Sequence, residues 1–144
     1  RMVDSSKNIK RVAIMGSDAL VEAVAVTLAD RGYLVSVIDS TSDALSRFPT
    51  GKIGPGEIVS VLGDATFARD QQKGWVHESE VFMALSPSDT RNAMAATVAK
   101  SIHEVALVIS RIEDPILQEM YNGLGIRAIG SNAIVADMAV KVVD

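Results

Sequence analysis

Gly16, Ser17, Asp18 and Ala19 follow a short apolar run, and an acid, Asp39, stands 23 residues after Gly16 with Ser40 behind it. A glycine turn between a strand and a helix points free backbone N–H groups and the positive end of the helix dipole at a phosphate. An acid ending the next strand can accept hydrogen bonds from both ribose hydroxyls. The spacing is that of nucleotide recognition, yet Asp18 and Val21 stand where the fingerprint has its second and third glycines. Val21 alters only the packing of helix on strand. Asp18 places a carboxylate where phosphate would sit. At an effective dielectric of ~20, like charges ~4 Å apart cost about 4 kcal/mol. Half of that lowers affinity more than tenfold. The carboxylate can also cap the helix itself. A dinucleotide is therefore disfavoured, while adenosine or AMP reach less far into the loop. Asp39 has a plainer reading too, as a polar strand end capping the helix that begins near Ser42.

Two further apolar runs end in polar groups, "GDAT" from Gly63 through Asp64 and Ala65 to Thr66, and "LSPSD", which carries Ser86. Asp64 also reads as a turn aspartate, and "SPSD" as a helix entry capped by Asp89. Arg111 needs a partner, either phosphate or the acids Glu113 and Asp114. His77 and His103 read as surface histidines, with no neighbours at metal-ligand spacing. No catalytic residue or metal site is expected.

The elements that would position these groups alternate along the whole chain. Strands are expected at 11–15, 34–38, 58–62, 81–85, 105–109 and 128–129. Helices are expected at 19–30, 42–47, 65–73, 90–100, 115–124 and 132–142, the last capped by Asn132. Several strands are apolar on both faces, as a parallel sheet between helices requires. The pattern predicts an α/β fold, a Rossmann-like doubly wound parallel sheet of six strands in the order 3-2-1-4-5-6. "FPTGKIGPGE" reads as a connecting loop.

The composition agrees with one domain: 144 residues, 48% apolar and 22% charged. A net charge of -4 argues against nucleic acid. The chain has no cysteine, hence no disulfide framework. With no signal peptide and no membrane-spanning run, a cytoplasmic protein is expected. Residues 1–9 are expected to be a disordered or tag-like segment and 10–144 the folded domain. The last helix, "SNAIVADMAVKVV", is apolar on more than one stripe, which fits either a cover for the sheet or a helix docked on another subunit.

Taken together, "RVAIMGSDALVEAVAVTLADRGYLVSVID", "VLGDAT", "VFMALSPSDTRNAMAATVAK" and "ALVISRIEDPILQEMYNGLGIRAIGSNAIVADMA" make the chain resemble the Trk-type N-terminal domain, also called the RCK or KTN domain, of potassium transport systems. The resemblance implies a cytoplasmic regulatory domain, not an enzyme, that binds NAD, ATP/ADP or AMP. It also implies assembly as a homodimer or ring of dimers on a membrane potassium channel or transporter. By position, the resemblance puts Gly16, Ser17 and Asp18 at the phosphate loop and Asp39 at the ribose. Asp64 and Ala65 would lie beside the adenine, Ser86 beside the nucleotide, and Arg111 near phosphate or a neighbouring subunit. Family members usually continue into a second small ligand-binding lobe. A non-binding assembly lobe and an NAD-dependent oxidoreductase domain are the alternatives.

Overall fold

A computed structural model describes residues 10–45, 48, 51–53 and 56–144. The expected segment 1–9 lies outside the described residues, as do positions 46–47 of the expected second helix.

Seven strands form one sheet: β1 (Arg11–Met15), β2 (Leu34–Asp39), β3 (Gly51–Ile53), β4 (Gly56–Leu62), β5 (Val81–Ala84), β6 (Leu107–Arg111) and β7 (Arg127–Ile129). Their order is β3-β4-β2-β1-β5-β6-β7. Six of them pair in parallel, and these are the predicted strands in the predicted 3-2-1-4-5-6 order. The seventh, β3, is an antiparallel edge strand pairing Gly51 with Ile58. It falls within the stretch expected to be a loop, because glycine and proline density hides so short a pairing.

The helices are α1 (Ala19–Asp30), α2 (Ser42–Leu45), α3 (Ala68–Lys73), α4 (Asp89–Ser101), α5 (Pro115–Gly123) and α6 (Ser131–Val143). Alternation along β1 divides the core. Val12 and Ile14 join Val21, Ala25 and Ala29 of α1 on one face. Ala13 and Met15 join Ala95, Ala96 and Ala99 of α4 on the other. Both faces of the central strands are thus dry, which is why their sequences show no polar alternation.

Most predicted boundaries move by one to three residues, and three of the shifts have a visible cause. Strand 105–109 becomes Leu107–Arg111, because Val105, though buried, gives its N–H to Ala99 at the end of α4. Helix 65–73 begins at Ala68, because the Asp64 carboxylate accepts from the Thr66 amide and turns the chain first. Finally, α6 begins at Ser131 with no cap from its own side chains, so Asn132 is not its cap. No residue of α6 is buried, and Val142 and Val143 are each 86% exposed.

Candidate functional site

Six parallel strands deliver their carboxyl ends to one edge, and every predicted site residue lies along it. Gly16, Ser17 and Asp18 form the β1–α1 turn, with Ala19 opening α1. Asp39 ends β2 and Ser40 follows. Gly63, Asp64 and Ala65 follow β4, Ser86 lies beyond β5, and Arg111 ends β6. The Gly16 N–H donates to the Ile38 carbonyl at 3.1 Å, so the first turn lies against the end of β2. Asp39, Ser40, Gly63, Ala65 and Ser86 line a cleft of about 60 Å³ with Met15, Ile38 and Arg91.

The two acids at this cleft are held differently. Asp39 folds back, its Oδ2 accepting from the Thr41 amide at 3.1 Å and hydroxyl at 2.6 Å. Asp64 Oδ1 accepts from the Thr66 amide at 3.0 Å, its hydroxyl at 2.7 Å and Arg91 Nη2 at 2.8 Å. Partial burial works against the Asp64 charge, but the Thr66 and Arg91 donors outweigh it and hold the carboxyl below its usual range. Asp64 in turn gives its N–H to the buried Asp70 carboxylate at 2.8 Å, which fixes the turn against α3.

Asp18, Arg111 and Glu113 form a second cluster beside the cleft. Asp18 caps α1, its Oδ1 accepting from the Val21 amide at 3.2 Å. Its Oδ2 lies 3.6 Å from Arg111 Nη1, and Arg111 Nε lies 3.7 Å from Glu113 Oε2. The partner that Arg111 requires is therefore a pair of acids, one of them Asp18. Glu113 also holds α6 in place of Asn132, accepting from the Ser131 hydroxyl and from the Asn132 amide at 3.1 Å. Those two donors, helped by Arg111, hold the Glu113 carboxyl below its usual value near 4.5.

A depressed folded-state pKa means that the Glu113 charge stabilises the fold above the unfolded value. That contribution is lost as the pH falls through the lower folded value. Glu113→Gln is expected to cost about 1–2 kcal/mol at pH 7, by weakening charge-assisted hydrogen bonds. It is also expected to flatten the fall in melting temperature below about pH 4.5. Thermal melts from pH 3 to 7 check this; an acid limb as steep as that of the parent would contradict it.

Sequence reasoning missed the group that binds this edge together. Asn92 is fully buried in α4. Its Oδ1 accepts from the Ser86 amide at 2.9 Å and hydroxyl at 2.7 Å. Its Nδ2 donates to the carbonyls of Ser86 and Arg111, each at 2.8 Å. A signal existed: Asn92 shares the buried alanine face with Ala96 and Ala99, at i+4 and i+7. Arg91 went unnoticed beside it. Asp89 does not cap α4, which Ser88 does. The Asp89 carboxylate instead accepts from the amides of Glu113 and Asp114, each at 3.0 Å, and sets the loop that presents Glu113.

His77 and His103 have ring centroids 6.0 Å apart, and the His103 ring lies 3.3 Å from the Ala68 carbonyl. Among the described residues, no three His, Asp or Glu side chains gather as a metal site. Among the same residues, no helix is long and apolar enough to cross a membrane.

The chain is 31% identical over 131 residues to the Trk system potassium uptake protein TrkA of Streptomyces coelicolor, covering 90% of this chain and 56% of that protein. It spans about half the length of the curated relatives it matches. The fold is similar to the Kef CTD of Shewanella denitrificans in its AMP-bound form, at TM-score 0.71 and 15% identity over 93% of this chain and 80% of that one. It is also similar to the GsuK channel bound to NAD, at TM-score 0.65 and 19% identity over 89% of this chain and 22% of that one. The TrkA-N domain model matches residues 12–132, nearly the whole of the sheet and its first five helices, and the chain belongs to the TrkA-N domain family.

Proposed function

We propose that this domain is the ligand-sensing part of a potassium uptake system and that it binds an adenine nucleotide at the carboxyl edge of the sheet. One observation carries the reading: Asp39, Ser86 and Arg91 converge on one cleft beside the Gly16 turn. An acid for the ribose, a serine and a guanidinium there match what a nucleoside offers. The similarity to the TrkA of Streptomyces coelicolor and to an AMP-bound Kef domain supports the same reading. The role is regulatory rather than catalytic and cytoplasmic, with the signal passed through assembly. The apolar side chains that α6 leaves exposed fit a contact with a second copy, which is how such a domain reports to a channel or transporter.

Thermal-shift measurements with adenosine, AMP, ADP, ATP and NAD test this. A ligand at 100 times its dissociation constant adds about 2.7 kcal/mol. For a domain of this size that raises the melting temperature by roughly 5–10 °C. Asp39→Ala is expected to abolish the rise, since it removes the acceptor for the ribose hydroxyls. If none of the five shifts the parent chain, the nucleotide reading fails. The non-binding assembly lobe then remains, a role that the Asp18 cap on α1 favours.

A further inference from the structure

The pyrophosphate of a dinucleotide does not fit the β1–α1 turn as this chain builds it. The Val21 amide, one of the free donors that would receive phosphate, already donates to Asp18 Oδ1. The nearby cation, Arg111, is shared by two carboxylates, Asp18 at 3.6 Å and Glu113 at 3.7 Å. Those three groups sum to one negative charge. Nor is space gained from the helix: a Cβ on Gly16 would stand 2.9 Å from Val21 Cγ2, so α1 is wedged by Val21 where a third glycine would let it close in.

Resting on the nucleotide reading above, we propose that Asp18 is the residue that fixes the ligand class. Its carboxylate is a built-in anion in the phosphate position, held by the Val21 amide and Arg111. The cleft therefore takes an adenine nucleoside without a pyrophosphate, as adenosine or its monophosphate, and turns away ADP and NAD. Recognition rests instead on Asp39, Ser86 and Arg91, which line the cleft. Arg91 is half-exposed and, among the described residues, its guanidinium pairs with Asp64 through Nη2, so further N–H donors remain for a ligand.

The test is isothermal titration of the purified chain with adenosine, AMP, ADP and NAD. It is repeated on Asp18→Ser, which keeps a helix-capping oxygen without the charge, and on Asp18→Gly, which restores the fingerprint residue. The parent is expected to bind adenosine and AMP at least tenfold more tightly than ADP and NAD. Both variants are expected to gain about tenfold or more for ADP and NAD, with adenosine changed less than threefold. An Asp18→Ser melting temperature close to that of the parent is expected, because the serine hydroxyl keeps the cap on α1. A parent that binds ADP as tightly as AMP, or variants that gain nothing for ADP, would overturn the role of Asp18 and leave the nucleotide reading standing. Absence of binding by all four ligands to the parent and both variants would overturn the nucleotide reading, and this proposal with it.

Discussion

Asn92→Ala is expected to destabilise the domain by about 3–5 kcal/mol and to lower its melting temperature by roughly 10 °C. The side chain is fully buried and makes four hydrogen bonds of 2.7–2.9 Å. Truncation leaves the Ser86 amide and the Ser86 and Arg111 carbonyls without that partner, and each unmet buried group costs about 1–3 kcal/mol. The consequence is also functional, because Ser86 lines the cleft and Arg111 holds Asp18. Losing Asn92 frees the β5 loop from the end of β6, so the nucleotide-dependent thermal shift should vanish with the stability. Asn92→Asp sharpens the test. It keeps the shape and the acceptor but replaces the NH₂ with an oxygen facing two carbonyls at 2.8 Å. It should therefore destabilise nearly as much at pH 7, although it leaves no cavity. Melting temperatures within 2 °C of the parent for both variants would show that the network adds little.

The sheet was legible because a parallel strand buried on both faces writes itself as an unbroken apolar run. Val12, Ala13, Ile14 and Met15 of β1 are such a run, and each is buried. The ends of the strands were legible for a related reason: Gly16, Asp39 and Gly63 break the runs where backbone leaves the sheet. What escaped notice depends on contacts between elements distant in the chain. β3 is specified by three ladder pairs with β4 rather than by any pattern of its own. The α6 cap comes from Glu113, 18 residues before Ser131, so no local rule points to it. Asn92 is 19 residues from the Arg111 carbonyl it serves. Arg111 itself was open between phosphate and acid on sequence grounds. In the fold it pairs with two acids, Asp18 at 3.6 Å and Glu113 at 3.7 Å, the first of which belongs to a turn 93 residues earlier in the chain. Local chemistry thus announced the cleft, while the residues that brace it emerged only from the packing.

Gly16→Ala is expected to cost about 3 kcal/mol and to abolish the response to nucleotide, for two separable reasons. Gly16 has φ of +127°, a region closed to side-chain-bearing residues, and holding alanine there costs of order 1–3 kcal/mol. The added Cβ would also stand 2.9 Å from Val21 Cγ2, and 3.3 Å from the Leu85 carbonyl carbon and the Ser86 nitrogen. Val21 can be trimmed, whereas Leu85 and Ser86 present backbone. A double-mutant cycle with Val21→Ala therefore divides the cost. Val21→Ala alone should lose about 1–2 kcal/mol of core packing, because Val21 is fully buried. In the Gly16→Ala background it should cost less than that, since it relieves the one contact that can yield. The remainder, backbone strain and the push on Ser86, should persist in the double variant along with the loss of ligand response. Strict additivity of the two melting-temperature changes would mean that Val21 is not the wedge. Gly16→Ala with parental stability would mean that the turn does not hold the positive φ from which the geometry of the cleft follows.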